Sequence, residues 1–411
     1  MLLESHGGPG PHHVLPLNGL VVADFSRVLA GPLASMTLAD LGARVIKVER
    51  PGAGDDTRSW GPPFSATGAT YFESVNRNKE SVCLDLADPE DRELARELAR
   101  RADVVIENFK PGGMARLGLG YPDLAADNPG LIYVSVTGFG SGGGADLLGY
   151  DFVVQALGGL MSITGEADGD PTKVGVALVD VLTAKDATIG VLAALNERNR
   201  SGNGALIEVN LLSSLQGALA NQGQGFLGAG VVPGRMGNAH PSIAPYQLLQ
   251  CADGPLAVAC GNDGQFAKLC DALGLSALAV DERFQTNNSR VQHRAELIPL
   301  LEGALARGRA QDWQDTLNRV GVPAGQVATI KESVEFAESL GLEPTINVHD
   351  AMGQVTGKQI RHPITWTPPL HERRFAPPAL GEHSTSVRRW LNDTPDDAED
   401  RAPRTKQTTE V

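Results

Sequence analysis

The stretch LVVADFSRVLAGPLASMTLADLGARVIKVE, residues 20–49, holds an apolar run, a glycine–proline break, a helical repeat and a second apolar run. Leu20–Asp24 reads as a buried strand, because four apolar residues stand together and a charge closes them. Leu33–Leu41, entered through Gly31 and Pro32, reads as a helix, and Arg44–Glu49 as the next strand. Strand, helix and strand at this spacing form the βαβ unit of a parallel sheet. The alternation continues with a strand at Ser81–Leu86, a helix at Pro89–Arg101 and strands at Asp103–Phe109 and Leu131–Val136. A helix over Thr183–Arg198 then leads to a strand over Ala205–Leu211. The expected fold is α/β, with a large Rossmann-like domain and helices on both faces of a mostly parallel sheet.

A chain of 411 residues implies about two domains. Residues 1–13, with His6, His12 and His13, read as a flexible leader, and 14–222 as the large domain. Residues 223–330 read as a connector followed by a smaller inserted α/β domain. The connector, Asn221–Tyr246, is rich in Gly and Pro. The small domain is expected to hold a strand at Leu256–Cys260 and helices at Gln265–Leu273, Arg294–Ala306 and Ala310–Val320. Residues 331–392 are a C-terminal return to the large domain, with helices at Lys331–Leu340 and Ser384–Leu391 and strands around Gly353–Ile360. Residues 393–411 are polar and expected to be disordered.

A net charge of −14 argues against broad binding to nucleic acid or anionic membranes. No apolar run approaches the roughly 20 residues of a membrane span. Four cysteines at spacings unlike a disulfide or zinc framework point to reduced thiols, a cytoplasmic location and no metal site. An acidic protein that binds an anion must gather its cations locally. Lys47, Arg50, Arg58, Arg77, Lys79, Lys110 and Arg116 are either such a gathering or a solvated scatter.

Asp180 interrupts the run VGVALVDVL, residues 174–182, where a carboxylate is costly to desolvate. One reading is a helix N-cap, the other a nucleophilic carboxylate at a cleft. The run Gly138 to Gly143 satisfies G-x-G-x-x-G. It lacks a following helix and an acidic residue about 20 positions on, so it reads as a loop rather than a dinucleotide site. Arg58 and Trp60, and likewise Asn108, Phe109 and Lys110, lie in loops past strand ends, where open α/β sheets bind ligands. Tyr150 and Asp151 stand at a helix start, as substrate contacts or as a cap. His240 lies in the connector, exposed or part of a lid. No Walker A, H-E-x-x-H or G-x-S-x-G pattern occurs.

Taken together, several stretches resemble family III CoA-transferases: residues 24–32, 42–51, 107–112, 149–151, 175–180 and 378–383. The match runs in order from about residue 16 to 391. Residues 54–64, 74–79 and 210–214 further resemble the succinate–hydroxymethylglutarate CoA-transferase branch. The resemblance implies that Asp180 attacks an acyl-CoA thioester and passes through a mixed anhydride to an aspartyl-CoA thioester, which the incoming acid then attacks. Backbone amides at the helix start after Asp180 are the candidate oxyanion donors.

By the same resemblance, Leu29, Ala30, Arg50, Leu84, Asn108, Phe109, Lys110 and Arg116 hold CoA, with Arg50 and Arg116 on phosphates. Tyr150 and Asp151 match substrate-side positions, and Trp60 in its strand-end loop is a further substrate candidate. Where a relative carries a glycine flap this chain has His240-Pro-Ser-Ile, so His240 with Ser242 is a candidate contact for the acceptor carboxylate. CoA enters as a thioester substrate, with no tightly bound cofactor, and the partners are an acyl-CoA, such as succinyl-CoA, and a small carboxylic or dicarboxylic acid. An interlocked homodimer is also implied. The alternative is a 2-methylacyl-CoA racemase. Racemases of the family carry His where this chain has Tyr150, and a phenol with a pKa near 10 is a poor proton relay at neutral pH.

Overall fold

A computed structural model describes residues 15–370 and 372–393. The leader 1–13 with its three histidines lies outside the described residues, as does the tail beyond Asp393. The chain divides into two units. The first runs to Val154 and resumes over Val176–Ala218 and from Glu343 onward. The second comprises Gln155–Gly175 and Leu219–Leu342.

The first unit is built on six strands: β1 Val21–Asp24, β2 Arg44–Glu49, β3 Lys79–Cys83, β4 Val104–Glu107, β5 Ile132–Thr137 and β6 Ala205–Asn210. All neighbours pair parallel, in the order β3-β2-β1-β4-β5-β6. This is the Rossmann order, which reverses between β1 and β4. Apart from the edge strand β6, the strands are largely buried on both faces, so they read as continuous Val/Ile runs. Ile46, Val82, Val105 and Leu98 sit in one core cluster with Val387 and Leu391 from the C-terminal return. The helix Pro89–Arg101 is capped by Asp88, whose carboxylate accepts from Glu90 N and Asp91 N.

The second unit has a core of its own around Leu249, Phe266, Phe284 and Leu301. Its sheet is antiparallel, from β7 Tyr246–Gln250, β8 Pro255–Ala259 and β9 Ala324–Gln326. β10 Thr345–His349 and β11 Val355–Ile360 form an antiparallel pair in the first unit.

Four expectations shift. The strand expected at Ser81–Leu86 is Lys79–Cys83, because Lys79 is a buried strand residue neutralised by Asp24 rather than a polar flank. The expected connector contains a helix, Ala220–Ala229, whose Gly223, Gly225 and Gly228 mask its period. Residues 155–175 group with the second unit, although they fall inside 14–222. Gly237 N donates to Gly165 O, and Arg235 to the carbonyls of Glu166 and Gly169. Residues 331–342 join the same unit rather than the return.

Candidate active site

At the β1/β4 reversal two loops are tied together by one side chain. Arg27 N donates to Asn108 Oδ1 at 2.9 Å, and Asn108 Nδ2 donates to Arg27 O at 2.7 Å. The next residue, Val28, has φ 71°, a conformation that costs a β-branched side chain about 1–3 kcal/mol. Its N–H points at the Asp55 carboxylate, 3.2 and 3.4 Å away, and Asp55 is anchored in turn by the fully buried Lys47 at 2.9 Å. The strained turn delivers Leu29 and Ala30 to a cavity. They open the helix Ala30–Asp40, whose start has no side-chain cap.

That cavity, of about 260 Å³, brings together Leu29, Ala30, Asn108, Phe109, Lys110, Tyr150, Asp151 and Asp180. A second cavity, of about 420 Å³ beyond β2 and β3, holds Arg50 and Leu84; Arg27 and Phe109 line both. Arg116 lines neither and is exposed at the end of the turn Gly113–Arg116. Trp60 stands 38% exposed and packs edge-on against Tyr71, centroids 5.2 Å apart. His240 belongs to the second unit, where its Nδ1 accepts from Ser242 N at 3.0 Å and its ring lies 5.2 Å from Tyr246.

Asp180 is not the cap. The helix starts a turn earlier than expected, at Leu178, with Ala177 as N-cap residue and no side-chain bond from it. Capping comes from across the cavity: Asp151 Oδ2 accepts from Val179 N at 2.8 Å and Asp180 N at 3.3 Å. Asp180 therefore sits in the first turn with its carboxylate free of that duty. Burial, and then the like charge of Asp151, raise its pKa from 3.8 to about 7. The expected oxyanion donors also fall away. Leu178 N donates to Val176 O, Val181 N to Ala177 O, and the two amides between them to Asp151. The uncapped start of Ala30–Asp40 is the alternative source of amides.

The glycine run serves this arrangement. A Cβ on Gly138 would lie 2.5 Å from Gly149 Cα, so the loop closes on itself backbone to backbone and sets Tyr150 and Asp151 at the cavity.

The basic group separates in two. Lys47, Arg58, Arg77 and Lys79 are spent on Asp55, Glu49, Asp40 and Asp24. Burial alone would raise the pKa of Asp24, but Lys79 and Lys47, with the Ser26 and Ser35 hydroxyls, hold it at about 2. Arg50, Lys110 and Arg116 remain exposed cations. Tyr71 was not singled out from the sequence. Burial and then the charges of Asp180, Asp151 and Asp55 push its phenol to about 12, so it lies within their field. Nothing marks it in the sequence, since it stands in the single turn Thr70–Glu73.

The sequence pattern of CoA-transferase family III matches residues 17–384. The chain belongs to CoA-transferase family III. It is 45% identical to a succinate–glutarate CoA-transferase of Agrobacterium fabrum, over 92% of this chain and 96% of that protein. It is 42% identical to a mouse succinyl-CoA:glutarate CoA-transferase, over 90% of this chain and 85% of that one. A crystal structure of a CAIB/BAIF family protein from Brucella suis superposes with a TM-score of 0.82 at 45% identity, covering 92% of this chain and all of that one. As a family III enzyme the chain has CoA thioesters as its substrate class.

Proposed function

We propose that this family III enzyme moves CoA from succinyl-CoA to a small dicarboxylic acid by way of an aspartyl-CoA thioester on Asp180. The observation that carries the reading is a half-buried carboxylate, Asp180, facing a cavity shared with the loops after β1 and β4. The donor and acceptor classes follow the relatives named for succinate and glutarate.

A carboxylate oxygen of Asp180 attacks the thioester carbonyl and CoA leaves as thiolate, giving a mixed anhydride. The thiolate then attacks the Asp180 carbonyl carbon, releasing the donor acid and leaving aspartyl-CoA. The acceptor carboxylate attacks this thioester, and the returning thiolate takes the acceptor acyl group, freeing Asp180. Each step exchanges one activated acyl bond for another, so no hydrolysis and no net proton transfer are needed, provided water is kept out. Leu29, Ala30, Asn108, Phe109 and Lys110 contact the pantetheine side of CoA, and Arg50 and Leu84 its nucleotide side. Trp60, Tyr71 and Tyr150 bound the acyl side. The uncapped first amides of Ala30–Asp40 receive the developing oxyanion.

The same reading includes an interlocked homodimer and a cytoplasmic location. Ile189 on the Asp180 helix and Leu206 on the edge strand β6, 64% and 45% exposed, support a covered face. Free cysteines, three of them buried, suit a reducing compartment. Among the described residues no helix is long and apolar enough to cross a membrane.

The test is a donor–acceptor matrix read by mass spectrometry, with Asp180→Ala as control. Transfer from succinyl-CoA to glutarate-sized diacids that is lost in the variant is expected. Full transfer activity in Asp180→Ala overturns the mechanism.

A further inference from the structure

Two guanidinium groups converge where the two cavities meet, and one carboxylate stands between them. Asp56 Oδ1 lies 2.6 Å from Arg50 Nη2, and Asp56 Oδ2 lies 3.6 Å from Arg27 Nη1. Two cations against one anion leave an unmatched positive charge. Arg27 carries the looser contact. Its Nε is buried with no hydrogen-bond partner, and its guanidinium carbon lies 5.5 Å from the Phe109 ring centroid. Its backbone is pinned on both sides by Asn108, so the side chain projects from a fixed point.

The neighbouring Lys47 is committed elsewhere, to the buried Asp55. Asp56 belongs to the turn Asp56–Ser59, which is capped by the buried Asp55. Its carboxylate is half-exposed and can swing away without unfolding that turn. A planar guanidinium with an unsatisfied N–H suits the two-point recognition of a phosphate.

We propose that Arg27 and Arg50 form a two-armed clamp for a phosphate of the CoA thioester, and that Asp56 is the resident counter-ion that holds the arms and yields its place to the ligand. The clamp rests on the CoA-transferase reading and adds Arg27 and Asp56 to it. In the free protein Asp56 keeps the two guanidinium groups from repelling each other. On binding, the phosphate oxygens replace a carboxylate, and a more negative group meets the same two cations. Asp56 therefore lowers affinity while keeping the site ordered, which suits an enzyme that must release its acyl-CoA product each cycle.

The test is isothermal titration of the full-length protein with CoA, with 3′-dephospho-CoA and with pantetheine, alongside the KM of the acceptor acid. Arg27→Ala is expected to weaken CoA binding about 10–100-fold and to leave both pantetheine binding and the acceptor KM unchanged. Asp56→Asn is expected to tighten CoA about 3–10-fold. If the Arg27→Ala loss persists with 3′-dephospho-CoA, the clamped group is the diphosphate; if it disappears, the group is the 3′-phosphate. The clamp is overturned if Arg27→Ala changes CoA affinity less than twofold, if it raises the acceptor KM instead, or if Asp56→Asn weakens CoA. Arg27→Gln, which keeps the stem over Phe109, gives the same readout should the alanine variant fold poorly. Wild-type protein that does not bind CoA contradicts the CoA-transferase reading itself, a result separable from every outcome for the variants.

Discussion

Replacing Asp151 by Asn removes one negative charge from beside Asp180 and leaves an amide oxygen to accept the N–H groups of Val179 and Asp180. The helix start is thereby kept while its electrostatics change. In the wild-type protein the Asp180 pKa is raised from 3.8 to about 7, with burial the larger cause and Asp151 the smaller. Because burial outweighs Asp151, removing the Asp151 charge lowers the Asp180 pKa by less than half of the whole rise. In the proposed mechanism only ionised Asp180 attacks the thioester, so the first acyl transfer must fall off on the acid side as Asp180 takes up its proton. The assay is single-turnover quench-flow with succinyl-CoA, following the enzyme adduct by intact-protein mass spectrometry across pH 5 to 9 (roughly two units either side of the group). Wild-type protein is expected to lose rate below about pH 7. In Asp151→Asn the same acid limb moves down, by less than half of the rise that burial and Asp151 together produce. At pH 5.5 the variant then has the larger ionised fraction of Asp180. An acid limb that stays put, or moves up, refutes the view that the Asp151 charge tunes Asp180.

Three further outcomes follow from the same geometry. Between pH about 4 and 7 the folded protein holds a proton on Asp180 that the unfolded chain has released, so stability falls as pH rises through that window. Asp180→Asn removes this penalty, and its melting temperature at pH 8 should exceed that of the wild type by about 2 °C or more in calorimetry. Val28→Gly relieves the positive φ and frees the turn, so CoA affinity in titration should fall while folding stability changes by no more than about 1 kcal/mol. The family resemblance puts Tyr150, a poor proton relay, where racemases carry histidine, so a 2-methylacyl-CoA incubated with the enzyme in deuterium oxide should take up no deuterium at Cα by mass spectrometry.

The parallel sheet was legible because its central strands are buried on both faces and read as apolar runs between helical repeats. Val104–Glu107 is an example, buried throughout. What the sequence obscured were the places where buried polar groups satisfy one another. Lys79 looks like the edge of a strand and is in fact its first residue, because Asp24 across the sheet neutralises it. Lys47 and Arg58 look like ligand cations until Asp55 and Glu49 are found beside them. The site residues were visible as strand-end loops, but their connections were not. That Asp151 caps the Asp180 helix is a contact between residues 29 positions apart, with no local pattern to announce it. The Ala220–Ala229 helix was hidden for the opposite reason. Its glycines and exposed Phe226 and Leu227 imitate a loop.

The central claim is a covalent bond to one carboxylate, and trapping tests it most directly. The protein is incubated with succinyl-CoA and no acceptor, quenched with hydroxylamine, digested and sequenced by mass spectrometry. The account predicts a hydroxamate on Asp180 that forms only with the thioester and disappears when an acceptor dicarboxylate is added first. A hydroxamate on another residue, or none at Asp180 under conditions where CoA transfer proceeds, would contradict it.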